Sequence, residues 1–205
     1  KALCNTGILL VNGVIKGNGQ IADVVDQYLK NYVVDGQEYK SNYKRATNLP
    51  ANQNFDILEA AITGQDGVHK AVFTTEEPIH VVVTYKLGRP LKGSVINFSL
   101  DNREQTVFLS FDTDKNMERL EGREAGVYKA VVQIPSHTIK PGNYSISFNT
   151  GIANLEVYLR LEKCLSFAVT LADENESFIS YSEKRPGVLA MPLIWDTQQI
   201  NNEPI

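Results

Sequence analysis

The residues that could carry out catalysis are isolated from one another in this sequence. The three histidines, His69, His80 and His137, have no neighbouring cysteine and form no H-E-x-x-H motif. No G-x-S-x-G nucleophile elbow occurs, and no pair of Asp or Glu residues stands at a spacing that would support glycoside hydrolysis. The sequence therefore predicts a domain that is not an enzyme and that contains no cofactor of its own.

One acidic segment imitates the start of a calcium-binding loop. Residues 112–116 read Asp-Thr-Asp-Lys-Asn, but Met117 stands where the loop needs a glycine, and Arg123 stands where it needs a bidentate glutamate. We therefore predict an acidic hairpin loop at this place and no metal site.

Composition and charge narrow the possible partners. Of the 205 residues, 42% are hydrophobic and 21% are charged, as in ordinary folded chains. The 20 Lys and Arg residues against 24 Asp and Glu residues give a net charge of −4, the wrong sign for a partner bound through phosphates, so nucleic acid is not expected. No apolar stretch approaches the roughly 20 residues of a membrane-spanning helix. Cys4 and Cys164 are expected to be reduced.

From residue 57 to residue 173 apolar and polar residues alternate with the period of β-strands. The side chains expected to face inward fall into these groups: Ile79/Val81/Val83/Tyr85, Ile96/Phe98/Leu100, Val107/Leu109/Phe111, Tyr128/Ala130/Val132/Ile134, Tyr144/Ile146/Phe148, Leu155/Val157/Leu159 and Leu165/Phe167/Val169/Leu171. Turn residues separate them, for example at Asn149-Thr150-Gly151. Short strands with no helix between them predict an all-β fold, an antiparallel β-sandwich of about eight strands.

The first 32 residues have a different pattern. An apolar run at residues 8–11, a turn at Asn12-Gly13 and a second turn at Gly17-Asn18-Gly19 predict a short hairpin. After the hairpin, apolar residues recur on one helical face: Ile21, Val24, Val25, Tyr28, Leu29 and Tyr32. A hairpin and one helix cannot bury a core of their own, so residues 1–32 are expected to be the tail of a larger domain.

Residues 33–56 are polar and are predicted to form a linker. An alternative stays open, in which they form an ordered arm across the next domain, anchored by Tyr39, Tyr43 and Phe55. The third unit is then the sandwich of residues 57–205. Its single tryptophan, Trp195, lies near the end of the chain and indicates a tail that docks as a strand on its own sandwich or on a partner's.

The first segment resembles the end of the nucleotide-binding domain of polysaccharide ABC exporters. The resemblance rests on the spacing of Cys4, Leu10, Gly13, Gly19, Val24 and Tyr28, while Asn5 departs from the Asp common after the cysteine. The G-x-x-x-x-G-K-[ST] loop of such domains does not occur in this sequence. The resemblance implies that ATP and Mg²⁺ belong to the parent protein and not to this fragment.

The remainder resembles the C-terminal carbohydrate-binding domain, of Wzt type, of O-antigen exporter ATPases. The resemblance rests on residues 77–79, on Val107-Phe108 with Ser110 and Asp112, on Ile134-Pro135, on residues 140–144, on Phe167 with Val169, and on residues 185–188 with Trp195. It implies an immunoglobulin-like sandwich and a homodimer that exchanges its C-terminal strand. It also implies binding of the end of the finished polysaccharide at the cytoplasmic face of the inner membrane, beneath the transmembrane subunit.

Sugar binding requires hydroxyls and amides for the sugar OH groups and an aromatic ring for the sugar's apolar face. If residues 101–104 form a hairpin turn, Asn97 and Ser99 share an outward face with Phe108 and Ser110. Immunoglobulin-like topology would add two further outward side chains and two cations for an anionic sugar or phosphate cap: Ser147, Asn149, Lys86 and Arg103.

These residues are the candidate glycan-binding site, and Phe108 is the exposed aromatic that most needs a ligand. An outward-facing aromatic ring at Phe108 would be explained equally well if the linker or a second subunit covered it. The expected function is non-catalytic recognition of the polysaccharide to be exported. The alternative is a structural module that only joins the ATPase subunits and has an inert outer face.

Overall fold

The three-dimensional architecture was derived from a computed structural model of the chain. It describes residues 4–11, 14–21, 24, 39–46, 51–172, 186–190 and 193–197. Within these ranges no helix is long and apolar enough to cross a membrane. The helix predicted after the first hairpin lies mostly outside the described residues, of which Ile21 and Val24 are helical.

The N-terminal hairpin consists of two antiparallel strands, β1 (Thr6–Val11) and β2 (Val14–Gln20). The second strand continues through residues 17–19, where Gly17 pairs with Leu9. The turn predicted at Gly17-Asn18-Gly19 is therefore wrong. Residues 17–19 remain in the strand because β1 is long enough to provide a pairing partner for each of them.

Two packed sheets form the rest of the described chain. The strands are β3 (Asn42–Lys44), β4 (Phe55–Thr63), β5 (Val72–Thr74), β6 (Ile79–Leu87), β7 (Ser94–Asp101), β8 (Thr106–Phe111), β9 (Gly126–Ile134), β10 (Gly142–Ile152) and β11 (Glu156–Thr170). One sheet has the order β5-β11-β10-β7-β8 and the other has the order β3-β4-β6-β9. All neighbours are antiparallel except β5 and β11. This architecture confirms the predicted all-β sandwich.

The core lies between the two sheets and is built from alternate residues of each strand, as the period of two predicts. The predicted inward residues of β6, β7 and β10 are almost completely buried, including Val81, Leu100 and Ile146. Full burial of such a side chain contributes about 1.5–3 kcal/mol. Cys164 packs against this core, and burial raises the pKa of its thiol to about 12.

A tyrosine corner fixes the entry into β10. The Tyr144 hydroxyl donates a hydrogen bond of 2.7 Å to the carbonyl oxygen of Lys140, four residues upstream. The Tyr144 ring is buried and stacks on Phe167, with the ring centroids 5.6 Å apart. Burial raises the pKa of this hydroxyl to about 12. A tyrosine bonded back to its own loop in this way is a hallmark of immunoglobulin-like sandwiches.

Residues 39–46 form an ordered arm that bridges the two sheets. Lys40 exchanges backbone and side-chain hydrogen bonds with Ser166 on β11. The following residues pair with β4, where the Ile62 N–H donates to the Ser41 carbonyl at 2.8 Å. The Arg45 guanidinium forms a 2.8 Å ion pair with the buried Asp56. For residues 39–46 the structure therefore shows the alternative of an ordered arm.

The last strands depart from the sequence prediction in their lengths. The turn expected at Asn149-Thr150-Gly151 is wrong, because β10 runs to Ile152 and the chain reverses through residues 153–155. The two apolar groups expected to form separate strands after it lie along the single long strand β11, except that Leu155 is in the turn before it and Leu171 follows its last residue. A Cβ on Gly151 would lie 2.1 Å from the Glu156 carbonyl oxygen, so this tight register requires a glycine.

The tail leaves the sandwich after a short contact. Leu189 bridges Ile139, and the Ala190 N–H donates to the Thr138 carbonyl at 2.9 Å. Beyond this contact, Leu193, Ile194 and Trp195 are 71%, 100% and 85% exposed. Within the described part of the single chain, therefore, Trp195 does not dock on the sandwich.

Candidate functional site

The outer side of the five-stranded sheet carries a layer of polar side chains, which we call the polar face. It comprises Asn97, Ser99, Asp101, Ser147, Asn149 and Arg160. Each of the first five side chains lies opposite another polar one across the β7–β10 pairing, since Ser147 pairs with Ser99, Asn149 with Asn97 and Ser145 with Asp101. The residues between them face the core, so the backbone ladder alone fixes the orientation of this layer.

One row of the polar face crosses the sheet as a chain of hydrogen bonds. The Arg160 Nε donates to the Asn149 Oδ1 at 3.1 Å, and the Asn149 Nδ2 donates to the Asn97 Oδ1 at 3.2 Å. The next residue in this row, on β8, is Phe111. The row therefore ends in a half-buried aromatic ring beside a fixed amide.

A second row lies next to the first. The Lys163 N–H donates to the Ser147 Oγ at 2.9 Å, and Ser99 lies opposite Ser147. The Ser99 hydroxyl donates to the Asp101 carboxylate at 2.8 Å. Leu109, 49% exposed, completes this row on β8. The polar face therefore combines amides, hydroxyls, a carboxylate and a guanidinium with two apolar side chains at its β8 border.

The predicted orientation of β8 is wrong. Phe108 pairs with Leu100, and its ring packs edge-on against Phe98, with the centroids 5.8 Å apart. Ser110 pairs with Phe98 and therefore also lies on the inner side. The register shifts between Leu100 and Asp101, which inverts the alternation expected from a regular hairpin. Phe108 and Ser110 are therefore not part of the polar face.

The two predicted cations also lie elsewhere. Lys86 is on β6 in the four-stranded sheet, where it pairs with Asp56 and Val127 on the opposite side of the sandwich. Arg103 lies in the turn between β7 and β8, at the end of the sheet. The Asn102 Oδ1 holds this turn by accepting the Glu104 and Gln105 N–H groups. Of the eight predicted site residues, the structure brings together Asn97, Ser99, Ser147 and Asn149.

Sequence reasoning missed four side chains of this surface: Asp101, Leu109, Phe111 and Arg160. Phe111 and Leu109 were expected to face the core because, with Val107, they are the apolar residues at every second position of β8. Arg160 needed the pairing of β10 with β11 to be known, since only that pairing places it beside Asn149. In the sequence, Arg160 is marked only as a charged residue between two leucines, which is a weak signal.

The carboxylates of the acidic loop are held by groups of the chain itself. The Asp112 carboxylate is held by Arg123 at 2.6 Å, and the Asp114 carboxylate accepts the Phe111 N–H at 2.9 Å. Across the described part of the chain, no group of three or more His, Cys, Asp or Glu side chains could hold a metal ion. The arginine that stands in place of the calcium-binding glutamate is thus the partner of the first loop carboxylate.

The family model of the Wzt C-terminal domain matches residues 48–182, more than half of the chain. No curated protein matches the chain.

Among solved structures, the chain is similar to a crystal structure of the C-terminal domain of wzt, with 12% identity and a TM-score of 0.49. That likeness covers 65% of this chain and 80% of the other. A β-glucosidase from Listeria innocua in complex with gluconolactone has 11% identity and a TM-score of 0.31, covering 54% and 16%.

Proposed function

Because the chain belongs to the Wzt C-terminal domain family, we propose that it is a non-catalytic glycan-recognition domain of a bacterial polysaccharide ABC exporter. The observation that carries this proposal is the polar face, with its row of bonded side chains from Arg160 to Asn97 and the ring of Phe111 at its border. Side chains fixed by one another are already ordered before a ligand arrives, which lowers the entropic cost of binding.

The chemistry of the polar face suits a sugar. Amides, hydroxyls and a carboxylate can each pair with sugar hydroxyls, and an aromatic or aliphatic side chain can cover the apolar face of a ring. Arg160 adds a positive charge, so an acidic sugar is compatible with this surface. The recognised part of the glycan in this proposal is the end of the finished polysaccharide.

The same proposal includes the position of the domain within the exporter. Residues 1–32 are the tail of a nucleotide-binding domain, in which ATP and Mg²⁺ bind outside this fragment. The transmembrane subunit is reached through that parent protein, and the sandwich works at the cytoplasmic face of the inner membrane. Glycan binding then selects which polymer is exported.

Titration of the domain with the polysaccharide of the source strain, followed by NMR, tests recognition. We expect shifts of amide signals in β7, β10 and β11, and weaker shifts with polymer that lacks its terminal residues. Asn149→Ala should weaken binding about tenfold, since it removes a bond worth about 1–1.5 kcal/mol. Asn42→Ala is the matched control, because this exposed amide lies on β3 in the other sheet. Absence of shifts with either polymer would refute recognition.

A strand-exchanged homodimer is the second part of the proposal, supported by the exposed Leu193, Ile194 and Trp195. Three consecutive large apolar side chains in water are unfavourable unless a partner covers them. Deletion of residues 193–205 keeps the contact of Ala190 with the sandwich and should convert a dimer to a monomer in light scattering. A dimer unchanged by the deletion contradicts strand exchange. Loss of the dimer in a protein that binds no glycan would instead favour a purely structural dimerisation module.

A further inference from the structure

A groove runs along the side of the sandwich where β8 and β9 are the edge strands of their sheets. Its volume is about 870 Å³, and residues 110–124 form one wall while residues 128–133 of β9 form the other. Because β8 pairs only with β7 and β9 only with β6, no strand of the described chain covers this side. The groove is thus an open feature of the single chain and is distinct from the polar face.

A row of stacked aromatic rings ends in this groove. Phe55 on β4 packs on Tyr85 on β6 at 5.1 Å, and Tyr85 stacks on Tyr128 on β9 at 5.4 Å with the ring planes 13° apart. Tyr128 lies on the edge strand, so no further strand of the described ranges lies beside the face of its ring away from Tyr85. The Tyr128 hydroxyl donates to the Glu124 carbonyl at 2.7 Å, which fixes the ring in this position.

A buried ion pair makes the wall opposite Tyr128 rigid. The Arg123 side chain is only 5% exposed and contacts Asp112 at 2.6 Å, the Tyr85 hydroxyl at 3.1 Å and the Ser94 carbonyl at 2.9 Å. Its Nε has no hydrogen-bond partner among the residues that the structure describes. Backbone bonds of 2.9 Å in both directions join Arg123 to Leu91. The loop is therefore ordered without a ligand, as a preorganised binding site requires.

The rim of the groove carries polar side chains of both charges. Arg119 touches Asp112 only through Nη1, at 3.4 Å, and its side chain is 42% exposed. Lys115, Lys129, Asp114, Glu124 and Gln133 also line the groove. This mixture of donors and acceptors near one aromatic face is the chemistry that binds a polyhydroxylated ring. A partner strand at the β8 or β9 edge would instead pair through backbone groups and would not need this array of charged side chains.

We propose that this groove is a second sugar subsite, in which a pyranose ring stacks on Tyr128 while Arg119 donates hydrogen bonds to its hydroxyls. The inference rests on the proposed function, because it takes the ligand to be the exported polysaccharide. Phe111 connects the polar face with the groove. It is the last residue of the polar-face row that contains Asn97, and it also lines the groove. The glycan then crosses the β8 edge, and the domain binds several consecutive sugars.

Binding of oligosaccharides of increasing length, prepared from the polysaccharide by partial hydrolysis, tests the subsite by calorimetry and NMR. We expect Tyr128→Leu and Arg119→Ala each to weaken binding of long fragments about tenfold and to leave the shortest binding fragment unaffected. Tyr128 ring signals should shift only with the long fragments. Met117→Ala is the control, because this exposed residue belongs to the same loop but does not line the groove.

The outcomes separate the two proposals. If Asn149→Ala weakens binding and neither groove variant does, the second subsite is refuted while glycan recognition stands. If the unmodified domain binds no fragment, glycan recognition itself fails. If the groove variants alter the oligomeric state measured without glycan, the groove is a protein interface and the subsite is refuted. Arg119→Ala keeps the test decisive if Tyr128→Leu does not fold, because Arg119 is exposed and contributes little to the core.

Discussion

Phe108 and Leu109 are neighbours on β8 whose side chains lie on opposite sides of the sheet. The Phe108 ring packs against Phe98 in the core, whereas Leu109 is 49% exposed on the outer side. Two residues of similar hydrophobicity therefore have different roles, and the difference comes from the register of the strand rather than from residue type. Stability depends on the inner residue, and ligand contact is available only to the outer one.

Substitution by alanine should separate these roles. Phe108→Ala removes a half-buried ring and leaves a cavity, so we expect a loss of about 2 kcal/mol in the free energy of unfolding. Leu109→Ala, its matched control, should change the free energy of unfolding by less than about 0.5 kcal/mol. Urea titration followed by circular dichroism measures both values. Equal losses for the two variants would contradict the register described for β8.

At the scale of a single strand, the start of β10 depends on one hydroxyl, that of Tyr144. Tyr144→Phe removes the hydrogen bond to the Lys140 carbonyl, with an expected loss of about 1 kcal/mol at neutral pH. Burial raises the pKa of Tyr144 from 10.0 to about 12, so the folded state retains this proton where the unfolded chain loses it. The stability that Tyr144 contributes is therefore complete below pH 10 and is lost as the pH rises towards 12.

Urea midpoints of the unmodified protein and of Tyr144→Phe between pH 7 and pH 11.5 test this dependence. The advantage of the unmodified protein should be constant up to about pH 10 and should shrink above it. Other buried tyrosines and Cys164 affect both proteins alike, so the difference between the two curves isolates Tyr144. A difference that stays constant up to pH 11.5 would show that the hydroxyl is not buried as described.

Most strands of the sandwich could be predicted from sequence, because a core between two sheets imposes a period of two on each strand. The inward residues of β6, β7, β9 and β10 follow that period without interruption. The prediction failed where the register shifts, at the Leu100/Asp101 irregularity and between β10 and β11. An irregularity changes which residues face inward, yet it is set by pairing with another strand and leaves no mark in the local pattern.

The candidate site was predictable to the same extent. Asn97, Ser99, Ser147 and Asn149 lie on the regular ladder between β7 and β10, and the structure brings them together. Phe108 and Ser110 follow an irregularity, and Lys86 needed knowledge of which sheet contains β6. The groove could not be predicted, because it depends on which strands lie at the edges of their sheets.

For the whole molecule, the arm of residues 39–46 joins the two sheets through Ser166 on one side and Asp56 on the other. It lies before the segment that matches the family model. Its loss would leave the edge of β4 and the edge of β11 at Ser166 unpaired, and unpaired strand edges promote association.

Two truncated chains should show this contribution. A chain that begins at residue 39 retains the arm, and a chain that begins at residue 47 lacks it and leaves the buried Asp56 without its arginine. We expect the shorter chain to be less stable by about 3 kcal/mol, since breaking a buried ion pair costs 3–5 kcal/mol and Arg45 keeps some exposure. Thermal unfolding and light scattering measure stability and aggregation. Identical behaviour of the two chains would show that the arm does not stabilise the sandwich.

The side chains of the polar face bond to one another, while the backbone ladder and the inner residues hold the sheet together. Evolution can therefore exchange them one at a time at little cost in folding. Under the proposed function, a single scaffold can thereby follow a bacterial surface polymer as the sugars of that polymer change. For the same reason, a library randomised at these positions is a practical starting point for engineering new glycan specificities.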